Sequence, residues 1–110
     1  MITRIAIATA VLFASPAWSS GFGFYSGNQL FDYCEGAAKD KAHCIGYTTG
    51  IVDALASGPI YGWEACVPEK VSQAQVRDIV VKYLQDNPQD RHYSAAAIAA
   101  KALSIAFPCQ

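Results

Sequence analysis

The clearest pattern of hydrophobic and polar positions lies between residues 72 and 86. Apolar side chains recur there at i, i+3, i+4, i+7 and i+8, separated by charged and amide residues: Val76, Ile79, Val80, Tyr83 and Leu84. This is the periodicity of an amphipathic helix. Ser72 and Gln75 have the spacing of a capping box, in which two backbone N–H groups at the helix start are satisfied by side chains. The sequence therefore predicts a helix that begins at Ser72.

Two further helices are predicted nearer the N-terminus. Ser26 and Gln29 repeat the capping-box spacing before apolar residues at helical intervals, which predicts a first helix over about residues 26–38. A second helix is predicted over about residues 41–57, with Asp40 as its N-cap. A Ser-Gly-Pro run ends that second helix.

The remaining pattern predicts a loop and a fourth helix. Residues 58–70 hold two glycines, two prolines, a tyrosine and a tryptophan, which is typical of an irregular loop. Ser94 precedes an alanine-rich helix that Pro108 closes. Strand patterns are nearly absent, so we expect an all-α fold, a compact bundle of about four helices.

The first nineteen residues have the layout of a secretory signal peptide. Arg4 precedes an apolar run from Ile5 to Ala14, and small residues follow at the positions where such peptides are cleaved. The run is shorter than the ~20 apolar residues that a membrane span needs. Charged residues interrupt every later apolar run. We therefore expect a signal peptide over 1–19, a mature domain over 20–110 in the periplasm or secreted, and no membrane span after cleavage.

The charge balance gives no reason to expect a nucleic-acid partner. The chain has 8 Lys and Arg against 9 Asp and Glu, and the basic residues are scattered. Loss of Arg4 with the signal peptide makes the mature domain slightly more acidic. A protein that binds phosphate backbones usually carries a clustered positive patch.

Four cysteines in a small exported domain most simply form two disulfides. They are Cys34, Cys44, Cys66 and Cys109. No C-x-x-C or H-x-x-x-H spacing is present, so we expect neither a zinc site nor any other metal or cofactor. Four cysteines allow three connectivities, and the sequence alone does not choose among them.

Helix geometry favours one of these connectivities. If the first two helices form an antiparallel hairpin, Cys34 and Cys44 lie at equal distances from the turn and face each other. Cys66 precedes the third helix and Cys109 follows the fourth, so the same argument brings these two together. We therefore predict Cys34–Cys44 and Cys66–Cys109.

The stretch H-C-I-G-Y-T-T-G-I-V-D places His43, Cys44 and Asp53 close together in sequence, as in a nucleophile with its base and orienting acid. On a helix, however, adjacent side chains diverge by about 100°, and Asp53 lies about 13 Å along the axis from Cys44, out of reach of His43. The thiol is also expected to be consumed in a disulfide. No other catalytic motif is present, so the sequence predicts a protein that is not an enzyme.

Small residues form a stripe in the second helix. Gly46, Gly50 and Ala54 recur every four residues. Such a stripe lets another backbone approach closely. We expect it to pack against a neighbouring helix, with the alanine-rich fourth helix as the candidate.

The long loop holds the best candidates for partner binding, which are Ile60, Tyr61, Trp63 and Glu64. Aromatic residues in a loop rich in glycine and proline form either a lid over the core or a surface that contacts a partner. The pattern leaves both readings open.

A second candidate is the turn between the third and fourth helices, with Gln89, Asp90 and Arg91. For Arg91 and the following His92, a polar turn held by its own hydrogen bonds is favoured over a binding cluster.

Taken together, these motifs resemble the Rap/Tai immunity-protein domain. The residues that carry the resemblance follow in order along almost the whole mature chain: Cys34, C-I-G-Y-T-T-G-I-V-D-A-L at 44–55, C-V-P at 66–68, V-R-D-I-V-V-K-Y-L at 76–84 and A-F-P-C at 106–109.

The resemblance implies an exported, all-helical, disulfide-stabilised protein without catalytic activity. Founding members of that family neutralise peptidoglycan amidases delivered by type VI secretion. They do so by occluding the amidase active site in the periplasm, and they tend to dimerise. The resemblance therefore implies a cell-wall amidase as the protein partner, and a homodimer. The alternative is a small periplasmic chaperone or a structural module of the cell envelope, which binds many clients and needs apolar surface released at low pH.

Overall fold

The computed structural model describes residue 3, residues 5–9 and residues 23–110. Within these residues the chain forms four α-helices and no strand. The helices are α1 (Gly27–Glu35), α2 (Ala38–Leu55), α3 (Gln73–Asp86) and α4 (Ala95–Ala106), and a short 3₁₀ helix (Pro88–Asp90) lies between α3 and α4. The predicted all-α bundle is therefore confirmed.

Two capping boxes begin α1 and α3 as predicted. The Ser26 hydroxyl accepts a hydrogen bond from the Gln29 backbone N–H, and the Gln29 side chain accepts one from the Ser26 N–H. Ser72 and Gln75 form the same pair of hydrogen bonds at α3. The predicted cap of α2 is wrong: that helix begins earlier, after Ala37, and Asp40 lies in its first turn.

The core is built around α4. Seven of its twelve residues are buried, and most of these are alanines that lie against the other three helices: Ala95, Ala97, Ile98, Ala99, Ala100, Ala102 and Leu103. A helix that is apolar on almost all sides must be surrounded by protein. Larger side chains from α1 and α3, such as Leu30, Val80 and Leu84, fill the space that the alanines leave.

The small-residue stripe of α2 lies on the side of the helix that faces away from the core. The buried residues of α2 are Cys44, Thr48, Ile51 and Leu55, and a helix turns 100° per residue. Gly46, Gly50 and Ala54 therefore fall on the opposite side and are exposed. A Cβ atom added to either glycine meets nothing within 4 Å. The predicted packing of this stripe against α4 is absent. The alanines of α4 themselves provide the small side chains that let α2 approach α4 closely.

Thr48 is the polar residue on the buried side of α2. Its side chain is fully buried, with 0% exposure. The hydroxyl donates within its own helix to the carbonyls of Cys44 and Ile45, at 3.0 and 3.1 Å. The hydroxyl therefore enters the core with its hydrogen bond satisfied, which removes most of the cost of burying it.

Both predicted disulfides are present. Cys34–Cys44 joins α1 to α2 across ten residues. Cys66–Cys109 spans 43 residues and joins the segment before α3 to the segment after α4. In the chain-entropy model, the disulfide that closes the longer loop stabilises the folded protein by about 4 kcal/mol. The disulfide that closes the shorter loop stabilises it by roughly 2 to 3 kcal/mol.

The segment before α1 pairs with the start of α4. Ala95 donates its backbone N–H to the Tyr25 carbonyl, and Gly27 donates to the Tyr93 carbonyl, both at 2.9 Å. At Gly27 the helices are so close that an added Cβ falls 2.4 Å from Ile98 Cδ1 and 2.8 Å from the Arg91 carbonyl oxygen. Only glycine fits this position.

The predicted signal peptide over 1–19 lies mostly outside the described residues. Among the residues that are described, no helix is long and apolar enough to cross a membrane.

We expect two glycine substitutions to have opposite effects on stability. Gly27→Ala places a methyl group against the Arg91 backbone, which has little room to move, so the free energy of unfolding should fall by about 1 to 3 kcal/mol. Gly46→Ala adds a methyl group to an open helix surface and should raise the free energy of unfolding by up to about 1 kcal/mol. Urea denaturation of both variants measures these changes. A neutral Gly27→Ala or a destabilising Gly46→Ala contradicts the packing described here.

Candidate functional surface

The long loop folds into a tight turn at residues 60–63. Ile60 donates its backbone N–H to the Trp63 carbonyl at 3.0 Å, and Trp63 donates to the Ile60 carbonyl at 2.9 Å. The two central residues have positive φ angles, 49° at Tyr61 and 83° at Gly62, as in a type I′ turn. Glycine adopts such an angle at no cost, whereas for tyrosine it is unfavourable by about 1 to 3 kcal/mol. The turn therefore holds a large aromatic residue at its tip in a strained conformation.

The four candidate residues of this loop divide into two groups. Ile60 and Trp63 are half-buried and pack against the core cluster, as a lid over the core requires. Tyr61 is half-buried as well but lies at the tip of the turn, and Glu64 is exposed beside it. These two residues remain the candidates for partner contact.

A lysine from α4 connects this turn to the second candidate segment. The Lys101 ammonium lies 5.4 Å from the centroid of the Trp63 ring, a cation–π contact, and 3.9 Å from an Asp90 carboxylate oxygen. The same Asp90 oxygen accepts a hydrogen bond from the Tyr83 hydroxyl at 2.7 Å. The two loop segments that the sequence singles out are therefore neighbours, fixed to each other through one side chain.

The second segment, the 88–91 turn, is held mainly by its own side chains. Arg91 donates from Nε to the Leu84 carbonyl at 2.6 Å, and its guanidinium lies 4.0 Å from the centroid of the Phe31 ring. The Arg91 side chain is thus engaged with α3 and α1, as expected for a polar turn pinned by hydrogen bonds. Asp90 is engaged with Tyr83 and Lys101, and Gln89 is exposed. Within this turn, Gln89 is the predicted contact residue that remains accessible.

Aromatic residues from four separate segments form a continuous surface next to the 60–63 turn. The Tyr25 ring makes edge-on contacts with the rings of Tyr33, His43 and Tyr47, at centroid distances of 5.6 to 5.7 Å. Tyr33 and His43 also stack on each other at 4.2 Å. This cluster connects α1 and α2 to the segment that precedes α1.

The same surface continues through Tyr61 to the start of α4. The Tyr61 hydroxyl and the Ser94 side chain both lie within 4 Å of the Cβ position of Gly23. The chain neighbours of Gly23 and Ser94 are Phe24, which is 85% exposed, and Tyr93, which is 47% exposed. The Tyr93 ring also contacts the His92 ring, at a centroid distance of 4.1 Å. We refer to the whole set as the aromatic surface, and its members are Phe24, Tyr25, Tyr33, His43, Tyr47, Tyr61, His92 and Tyr93.

Tyr33 and Tyr47 of this surface carry no charge at physiological pH. The neighbouring Tyr25 phenol raises the pKa of Tyr33. Burial raises the pKa of Tyr47, and the phenols of Tyr61 and Tyr25 raise it further. Since an ordinary tyrosine already titrates near 10, both groups stay protonated. They therefore offer apolar ring faces together with neutral hydroxyls that can donate or accept hydrogen bonds.

Sequence patterns gave little indication of this surface. No local pattern marks the three tyrosines Tyr25, Tyr33 and Tyr47 as members of one cluster, because their neighbours in space come from other segments. One local signal was available: His43 and Tyr47 lie four residues apart and hence on the same side of α2.

The structure separates the residues that resemble a catalytic trio in sequence. Cys44 is fully buried and bonded to Cys34, and a cystine sulfur is not a nucleophile. His43 belongs to the aromatic surface, and Asp53 is exposed on the other side of α2. Nowhere in residues 23–110 do three His, Cys, Asp or Glu side chains converge as a metal site requires.

The strain at the turn can be tested with two substitutions. Asparagine tolerates a positive φ far better than tyrosine, so we expect Tyr61→Asn to keep the free energy of unfolding or raise it by up to about 1 kcal/mol. The methyl group added in Gly62→Ala meets no neighbouring atom. This substitution should lower the free energy of unfolding by about 1 kcal/mol through backbone strain alone. Thermal and urea unfolding of the two variants measure these changes. A substantial loss of stability in Tyr61→Asn contradicts the strain described here.

A model of a known protein family, described as Rap1a immunity proteins, matches residues 26–109 of the chain. The match begins at the N-cap of α1 and ends at Cys109, so it includes all four helices, both disulfides and the 60–63 turn. No curated protein matches the chain.

Proposed function

Because this chain belongs to the family of Rap1a immunity proteins, we propose that it neutralises a peptidoglycan amidase effector by covering the amidase active site. In this proposal the protein is exported to the periplasm, where such an effector acts. It binds its partner without carrying out a reaction and needs neither a metal nor a cofactor.

The observation that carries the proposal is the conformation of Tyr61. A tyrosine held at positive φ at the tip of a two-residue turn is unfavourable for folding alone. Strain of this kind is concentrated at sites that bind ligands or partners. A narrow turn with an aromatic tip also has a suitable shape to enter an enzyme cleft, where it excludes the substrate by occupying its place.

The surroundings of the turn fit the same role. Tyrosine provides a large contact area with few rotatable bonds, so little side-chain entropy is lost when a partner binds. The aromatic surface adds seven further aromatic side chains around Tyr61, and clusters of this kind often dominate binding energy at interfaces. Ile60 and Trp63 hold the turn on the core, and Lys101 connects it to the 88–91 turn.

The proposal assigns separate roles to the candidate residues. Tyr61 and Glu64 contact the amidase, and Gln89 contacts it at the edge of the interface. Ile60, Trp63, Asp90 and Arg91 act indirectly, because their side chains are engaged with the protein's own core and turns. Substitution of this second group should lower stability as well as binding.

Co-expression with amidases tests the proposal. Candidate type VI amidases are directed to the bacterial periplasm with and without this protein, and cell lysis is followed over time. We expect one amidase to be neutralised and to form a complex with the purified protein. For that complex, Tyr61→Asn should raise the dissociation constant by roughly 30-fold, equivalent to about 2 kcal/mol.

A matched control separates contact from folding. Ile105 is an exposed apolar residue near the C-terminal end of α4, outside the aromatic surface. Ile105→Ala should leave the dissociation constant within about twofold of the original protein. If none of the amidases is bound or neutralised, and the protein instead keeps denatured clients soluble at low pH, it is a chaperone and the proposal fails.

A further inference from the structure

The two disulfides differ in their access to solvent. Cys34 and Cys44 are 6% and 0% exposed, whereas Cys66 and Cys109 are both exposed. In thiol–disulfide exchange a thiolate must reach one of the two sulfur atoms, so the rate depends on this access. A reductant in solution therefore meets Cys66–Cys109, while helix packing shields Cys34–Cys44.

The exposed disulfide also borders an open groove of about 560 Å³. The groove lies between the C-terminal end of α2 and the segment that leads into α3, and its apolar wall includes Val52, Leu55, Ala65 and Val67. A protein that exchanges with this disulfide must place its own cysteine at Cys66 or Cys109. The groove offers apolar surface for that contact, and both cysteines line it.

We propose that Cys66–Cys109 is a thiol–disulfide exchange site, and that the groove beside it is the docking surface of a dithiol protein. The occupant follows from the chemistry of the groove: a disulfide at its edge is reactive toward thiolates and toward little else. Exchange at this site needs no amidase, so it stands apart from the function proposed above.

The exchange proceeds in two steps. The thiolate of the dithiol protein attacks one sulfur atom, the Cys66–Cys109 bond breaks, and a mixed disulfide forms while the other cysteine leaves as a thiolate and takes up a proton. The second thiol of the dithiol protein then attacks the mixed disulfide. Two electrons and two protons pass to this chain, Cys66 and Cys109 become thiols, and the partner becomes a disulfide.

Reduction should loosen one part of the molecule more than the rest. Cys66 lies three residues after the 60–63 turn, and a backbone hydrogen bond from Cys66 to the Phe107 carbonyl, at 2.9 Å, also joins the two segments. Cys34–Cys44 still joins α1 to α2 after reduction. We therefore expect the largest rise in amide hydrogen exchange in residues 58–66 and 107–110, and a smaller rise in α1 and α2 that reflects the lower global stability.

The first test is the order of reduction. The purified oxidised protein is treated with increasing concentrations of dithiothreitol and alkylated at each step, under non-denaturing conditions. The labelled cysteines are then identified by peptide mapping with mass spectrometry. We expect Cys66 and Cys109 to be alkylated at least tenfold faster than Cys34 and Cys44. Equal rates, or earlier labelling of Cys34 and Cys44, overturn the proposal.

The second test asks whether the groove takes part. A thioredoxin whose resolving cysteine is replaced by serine is used to trap the mixed disulfide, and the attached cysteine is identified by peptide mapping. Ala56→Arg places a long cation in the groove, just after the end of α2. Ala42→Arg introduces the same side chain at an exposed position within α2. Ala56→Arg should slow trapping about tenfold while the rate with dithiothreitol stays unchanged, and Ala42→Arg should alter neither rate. If trapping by thioredoxin is unaffected by Ala56→Arg, the groove is not a docking surface.

Discussion

Close packing around α4 determines the positions of most other features in the molecule. Its alanines leave room for α1, α2 and α3 to lie directly against it, and the larger side chains of those helices complete the core. Dispersion and burial energies depend on such contact, because a gap of even half an ångström forfeits much of the attraction. Both ends of α4 are also tied to the chain. The segment around Tyr25 pairs with its first residue, and Cys109 is bonded to Cys66 just beyond its last turn.

The candidate binding surface follows from that arrangement. The 60–63 turn, the 88–91 turn and the segment before α1 are distant in sequence, yet all three lie beside the N-terminal half of α4. Lys101 emerges from α4 between the first two and contacts Trp63 and Asp90. Loops that are fixed in this way lose little conformational entropy when a partner binds, so more of the contact energy appears as affinity. The core thus holds these loops in fixed positions, although none of the α4 alanines belongs to the candidate surface.

Sequence patterns predicted the parts of the fold that depend on local chemistry. Capping boxes placed the starts of α1 and α3, and the hairpin argument paired all four cysteines, because both features are determined within or between adjacent helices. The reading of Gly46 and Gly50 was wrong for a physical reason. Small residues that recur every four positions are compatible with either a packed or an exposed helix surface. The buried side of α2 instead contains Thr48, whose hydroxyl forms its hydrogen bond within the helix itself.

The candidate surface was less accessible to sequence reasoning. Tyr61 and Trp63 stood out in the loop, but the sequence did not indicate that Trp63 packs inward on the core while Tyr61 occupies the tip. That difference arises from the positive φ angles of the turn and from the cation–π contact with Lys101, which lies 38 positions after Trp63 in the chain. The neighbours of Tyr25 come from α1 and α2, and no local pattern predicts a contact between separate segments.

The backbone conformation at Tyr61 has a consequence for the evolution of target choice. The hydrogen bonds that close the turn come from the main chain of Ile60 and Trp63, so the shape of the turn does not require a tyrosine. Glycine, asparagine or aspartate at the tip relieves the strain, and other residues that are not β-branched leave it about as it is. Under the proposed function, mutations that redirect recognition can therefore accumulate at this position without compensating changes in the core, and one scaffold can follow an effector that changes its own surface.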